Sequence, residues 1–237
     1  MSELLLPRIF EDKTEDNRYT HLNGKPKLSY SQFTSWKSDQ YRAGYIKQYM
    51  AKIELPSGIF AQYGSEVGEY KEWLGNGQIG NEPENSILTD ADKEFLRSEK
   101  YPENSKYEDL ILVDCGNFVI EGYIDRCIYL PDNKVVIQDF KTGGEKKIAD
   151  YASPDYGQTT LYCYDKVQNG YDIERSEVIL YDRKGNGRSN APMRLTGKTT
   201  LIPTPYSEER AEKLLKDISK TALEISNYYT QFLKFFK

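Results

Sequence analysis

At 237 residues, with 38% hydrophobic content, the chain can bury one sizeable core and reads as one domain. No apolar run approaches the roughly 20 residues that a membrane helix needs, and Leu4-Leu5-Leu6, followed at once by Pro7 and Arg8, is too brief for a signal peptide. A cytoplasmic protein with no membrane partner is therefore expected. The net charge of −5 argues against an extended, nonspecific nucleic-acid coat. The charge is uneven, however: from Arg183 to Lys237 eleven Lys and Arg stand against five Asp and Glu. Such a basic portion can meet phosphates, or Lys213, Lys216 and Lys220 can simply form the solvated face of a helix. Cys115, Cys127 and Cys163 lack C-x-x-C spacing, which disfavours zinc and iron–sulfur sites, and Cys115 and Cys127 suit strand-core thiols in a reducing compartment.

In chain order, residues 1–27 are polar and read as an N-terminal arm, with His21 on its surface, and residues 28–237 read as a domain with a C-terminal helical extension. Phe33, Trp36, Tyr41, Tyr45 and Tyr49 have the spacing of a helix over Ser31–Met50, its aromatics facing the core or stacking on bases. A second helix is expected over Gln62–Leu74, stopped by Gly75-Asn76-Gly77. A loop follows over Gln78–Ser86, then a short helix capped by Thr89. Leu110–Cys115 reads as a strand. Asn117–Leu130 and Lys134–Phe140, rich in β-branched and aromatic residues and split by Pro131-Asp132-Asn133, read as a hairpin. A helix over Asp155–Val167 precedes strands at Glu177–Asp182 and Arg194–Ile202, which flank a Gly185-Asn186-Gly187-Arg188 turn. Ser207-Glu208-Glu209-Arg210 opens a long amphipathic helix to about Phe236. Its apolar end, with Phe232, Phe235 and Phe236, packs on the domain or serves a protein partner or self-association.

The hairpin carries the chemistry. Folding the chain back at Asp132 sets Asp125 and Asp139 opposite each other on one face, an unfavourable pairing of like charges that a divalent cation would relieve. Alternation puts Lys141 on the same face as Asp139. Two carboxylates beside an ammonium can hold a cation and a water that the cation makes easier to deprotonate, the minimal apparatus for hydrolysing a phosphodiester.

These residues resemble the core of the PD-(D/E)XK nucleases, and within them the RecB-like exonuclease branch. Its G-x-x-D-R and I-x-D-[YF]-K-T-G patterns match Gly122-Tyr-Ile-Asp-Arg126 and Ile137-Gln-Asp-Phe-Lys-Thr-Gly143. Its Gln-x-x-x-Tyr helix matches Gln158 to Tyr162, and Leu28-Ser-Tyr-Ser-Gln-Phe33 resembles its L-S-x-S-x-[LF] opening. The resemblance implies an α/β, restriction-endonuclease-like core: a central mixed β-sheet flanked by helices, here with a long C-terminal helix. It implies one or two Mg2+ or Mn2+ ions held by Asp125, Asp139 and the Phe140 backbone carbonyl. Lys141 would position or activate the attacking water, and Gln158 and Tyr162 would support the site or touch substrate phosphates. Many relatives carry a His in a G-x-x-[VI]-H helix. Gly68 occupies that position here, and Glu66, or second Glu69, is the candidate replacement ligand. Some RecB-like relatives carry a four-cysteine iron–sulfur cluster, for which this chain lacks the cysteines. The implied function is a metal-dependent DNA nuclease, an exonuclease of recombination, repair or phage DNA processing, in the host cytoplasm if phage-encoded. The alternatives are a structure-specific endonuclease of the same fold and a non-catalytic nuclease-like DNA-binding or interaction module.

Overall fold

The structure, a computed structural model, describes residues 4–7, 17–22, 24–84 and 86–235. In chain order its helices and strands include β1 (Lys27–Ser29), α1 (Tyr30–Lys37), α2 (Arg42–Tyr45), α3 (Ile59–Gly75), α4 (Asp90–Arg97) and β2 (Ser105–Asp114). There follow β3 (Val119–Tyr129), β4 (Lys134–Gly143), α5 (Ile148–Ala152), α6 (Gln158–Gln168), β5 (Asp172–Lys184), β6 (Arg194–Pro203) and α7 (Glu208–Phe235). The chain divides into two compact units, one drawn from Ser57–Asp109 and Tyr123–Ser207, the other from Met1–Pro56, Leu110–Gly122 and Glu208–Lys237. Strands β2 and β3 contribute residues to both, so no linker-like composition marks the division in the sequence.

The first unit is built on the hairpin. Asp132 and Asn133 both take positive φ, 60° and 56°, the conformation that tight hairpin turns demand and that Asp and Asn tolerate. They return β3 antiparallel onto β4, with Tyr129 opposite Val135 and Arg126 opposite Gln138. β4 then pairs parallel with β5, and β5 antiparallel with β6, so the sheet is mixed. The parallel step needs a crossover, and α6 supplies it, packing on β4 and β5. α3 packs on β4, and α4 and α5 on β6. Both faces of β5 are consequently buried. Ile179 and Tyr181 join Tyr63, Val67, Tyr70 and Leu74 of α3, while Val178 and Leu180 join Ile202, Tyr151 and Tyr156. This is the α/β arrangement expected from the sequence.

In the second unit β1 pairs parallel with the start of β3, Lys27 opposite Val119. The Leu28–Phe33 motif is a capping box: Ser29 and Gln32 satisfy each other's backbone N–H groups while Leu28 and Phe33 are buried. The single helix expected over Ser31–Met50 is broken. α1 stops at Lys37, Ser38 is extended, and α2 runs into a wide turn over Ile46–Met50. Ser38 and Asp39 are weak helix formers, and the Arg42 Nε bonded to the Trp36 carbonyl at 2.6 Å satisfies a helix end where the chain turns. Part of the expected arm is core: Tyr19 and Leu22 pack with Leu110, Leu112 and Val119. Phe235 is 83% exposed at the end of α7, and Phe236 lies outside the described residues.

Asp92 ties α4 to β6 in the first unit. It closes a capping box with Thr89 and accepts the Leu195 N–H at 2.6 Å while only 2% exposed. Asp92→Ala removes the cap and strands a buried donor, so it should destabilise the fold by about 2–4 kcal/mol in urea unfolding.

Candidate active site

One step past the last ladder pair, Arg126 and Gln138, Asp125 and Asp139 face each other. Here a side chain replaces the ladder: the Asp125 carboxylate accepts the Phe140 N–H. A strand residue's carbonyl leaves on the same edge as its N–H, so the Phe140 carbonyl is directed to the Asp125 side too. Asp139 is fully buried. Its Oδ2 lies 2.6 Å from the Lys141 ammonium and 2.7 Å from the Tyr156 hydroxyl, while its Oδ1 is buried with no hydrogen-bond partner among the described residues. Burial, reinforced by the Asp139 charge, pushes Asp125 up to about 7 against the pull of Lys141 and the Phe140 N–H. Burial alone would lower Lys141, but the Asp139 and Asp125 charges outweigh it and hold its pKa above the usual lysine value. Lys141 is therefore an ammonium at neutral pH.

Gln158 and Tyr162 sit one turn apart on α6, with Gln158 Nε2 donating to the Tyr162 hydroxyl at 2.6 Å. The link from this pair to Asp139 is Tyr156, which the sequence reading missed. Its hydroxyl lies 3.1 Å from Gln158 Oε1 as well as 2.7 Å from Asp139 Oδ2. Tyr156 lies between α5 and α6, where no periodicity marks it.

The opposite face of β4 anchors the site. The Phe140 ring has two cations over it, Lys71 Nζ 4.6 Å and the Arg126 guanidinium 5.3 Å from its centroid. Lys71 is fully buried and paired with Glu99; burial lowers its pKa to about 8 despite that partner. Arg126 Nε donates to Gln138 Oε1 at 2.5 Å. Holding Phe140 on one face fixes Asp139 and Lys141 on the other.

Asp125 and Lys141 line a cavity of about 580 Å³, while Asp139 is fully buried and not among its lining residues. Ala61, Gly64, Ser65 and Gly68 give α3 a small-residue stripe on this side, and Glu69 and Glu72 continue it. Gly68, in the position where relatives carry His, meets nothing that would obstruct an added side-chain carbon. The preference for Glu66 over Glu69 needs correcting. Glu66 lies off this stripe, and its two carboxylate oxygens accept from Gln62, from the N–H and hydroxyl of Ser86, and from the Ile87 and Leu88 N–H groups. Burial alone would raise its pKa, but these donors hold it below the ordinary range. Glu66 fastens the 86–88 loop, and Glu69 is the one of the two that lines the cavity.

Glu108 was also missed. The strand expected from Leu110 begins at Ser105, and its polar opening carries Glu108 to the cavity wall. Its φ of 47° is rare for a non-glycine residue and marks local strain. Desolvation, then repulsion from Glu72, pushes Glu108 up to about 7; Lys141 opposes this, while Asp139 and Glu69 add to it.

Residues 38–235 match the sequence profile of the PD-(D/E)XK nuclease superfamily. The chain belongs to the PD-(D/E)XK nuclease superfamily. No curated protein matches it. Among solved structures, a "putative exonuclease" from Eubacterium rectale superposes with a TM-score of 0.51 at 14% identity, over 93% of this chain and 88% of its own, a likeness of fold. The protein SSO0001 aligns with a TM-score of 0.41 at 15% identity, over 86% of this chain and 80% of its own.

PD-(D/E)XK nucleases generally use divalent metal ions. The residues fit one: the donors are oxygens, as hard cations prefer; Asp139 Oδ1 is buried without a partner; and the opposed carboxylates need positive charge. Among the described residues no three His, Cys, Asp or Glu side chains are gathered at ligand distance.

Asp125 holds its proton more tightly folded than unfolded, so its contribution makes the metal-free protein less stable as pH rises from 3.8 to about 7. Thermal melts in EDTA should show that loss in the wild type and a flatter profile in Asp125→Asn, whose amide can still accept the Phe140 N–H. At pH 8 the variant should melt several degrees higher, on a scale of about 2–4 °C per kcal/mol. A lower melting temperature for the variant contradicts the repulsion.

Proposed function

We propose that the chain is a divalent-metal-dependent deoxyribonuclease that hydrolyses phosphodiester bonds, acting as an exonuclease in recombination, repair or phage DNA processing. The carrying observation is the meeting of Asp125, Asp139 and Lys141 at an acid-lined cavity that Asp125 and Lys141 reach, with one Asp139 oxygen buried and, among the described residues, free of any donor. Asp125, Asp139 and the Phe140 carbonyl would hold Mg2+ or Mn2+. When bound, the ion supplies charge neutralisation at the phosphate and a more acidic water. Tyr156 and Lys141 occupy Asp139 Oδ2, which keeps Oδ1 available as a ligand. Gln158 and Tyr162 hold Tyr156 in place through their own hydrogen bond. Lys141 lies where its N–H groups can orient the attacking water, and as an ammonium it offsets charge growing on the phosphate. The exonuclease reading draws support from the RecB-like pattern of Gly122–Arg126 and Ile137–Gly143.

The test uses end-labelled linear DNA and a covalently closed circle with Mg2+. The linear form should be degraded and the circle spared, and Asp139→Ala or Lys141→Ala should lower cutting by about 10²–10⁴-fold with the circular dichroism spectrum unchanged. Degradation of the circle selects the endonuclease alternative. Wild-type rates in both variants overturn the assignment.

A further inference from the structure

The rim of the cavity carries a second chemistry that its acidic floor does not use. Phe60, in the first turn of α3, lines the cavity yet keeps 48% of its surface exposed. The Arg183 guanidinium lies over its ring, 4.3 Å from the centroid. Among the described residues Arg183 makes no ion pair. Among the described residues its Nε is buried without a hydrogen-bond partner, and its side chain's one hydrogen bond runs from Nη1 to Met193 Sδ at 3.9 Å.

Arg183 lies near the end of β5, opposite Leu195 of β6, just before the turn that joins the two strands. From residue 183 to residue 194 the sequence holds Arg183, Lys184, Arg188 and Arg194 and no acid. Gly187 brings this segment against the start of α3. Its φ is +77°, and an added side-chain carbon would lie 2.5 Å from Ile59 Cγ1. An exposed ring at the edge of an acid-lined cavity thus carries a cation over it, and a cationic turn packs against the residue before it.

A cation left without a carboxylate partner among the described residues, stacked on a ring that lines the cavity, is placed for an anion from outside, and the anion a nuclease meets is the phosphate backbone. With the guanidinium over the ring, the ring's remaining exposed surface suits a flat π partner. Paired bases keep their faces inside the stack, whereas an unpaired base presents its own.

We propose that this rim holds single-stranded DNA: Phe60 stacks on an unpaired base, and Arg183 and Arg188 meet the adjacent phosphates, leading the strand to Asp125, Asp139 and Lys141. This rests on the nuclease reading and gives it a substrate class, a single strand or an unpaired end rather than an intact duplex.

Binding can be read apart from cutting, in Ca2+, by fluorescence anisotropy of a short labelled oligothymidine and of a G·C-rich blunt duplex. Phe60→Ala should weaken oligothymidine binding by about 5–100-fold and leave duplex binding unchanged. Phe60→Trp should keep the affinity, with its indole emission quenched on binding. Arg188→Gln, at an exposed position, should reduce the salt slope by about 1. Wild-type oligothymidine binding by Phe60→Ala, or equal losses on oligothymidine and duplex, overturns the proposal. Should the wild type bind with this pattern yet cut neither DNA in Mg2+, the strand site stands and the nuclease reading falls.

Discussion

Two like charges, Asp125 and Asp139, are pressed together by the antiparallel register of β3 and β4, and neither can withdraw without unzipping the hairpin that carries both. In an ordinary sheet such an opposition loosens the pairing. Here it is retained, with one ammonium beside it and one carboxylate oxygen left unserved. Much of the surrounding structure follows from keeping that arrangement in place: the turn residues that fix the register, the hydroxyl that occupies one oxygen of Asp139 but not the other, and the α3 stripe of small side chains that leaves room above.

β4 does this through its two faces. Alternation directs Asp139 and Lys141 one way and Gln138 and Phe140 the other. The second pair is anchored tightly, with Gln138 bonded to Arg126 and to Glu177 and the Phe140 ring under Lys71 and Arg126. Burying Lys71 beside an aromatic cluster is costly, as its lowered pKa shows. That cost purchases rigidity where a loose strand would let the two aspartates part. The Arg that follows Asp125 and the Phe that precedes Lys141 are thereby explained as supports, a role that spacing alone does not reveal.

What could be read from the sequence was whatever short-range periodicity controls. The centre of the hairpin at Asp132 sets the register, and the register sets which residues face each other, so Asp125, Asp139 and Lys141 were found together. Residues brought in by tertiary contact were not. Glu108 rides on Ser105–Asp109, a polar run without strand alternation that is a strand only because β3 lies beside it. Glu66 and Glu69 are three apart on one helix, and only the 86–88 loop, with its four donors to Glu66, separates a structural anion from a cavity-facing one. Tyr156 belongs to no periodic element. The break after Lys37 depends on a side-chain cap from Arg42, which aromatic spacing does not encode.

The central claim is that Asp125 and Asp139 exist as a pair in order to share a cation. The most direct measurement is the anomalous scattering of Mn2+ in crystals of the protein. The account predicts a peak within about 2.0–2.4 Å of an oxygen of each aspartate, the range of hard-cation ligation. A crystal saturated with Mn2+ that shows no density between them, or an ion bound only elsewhere in the cavity, would contradict it.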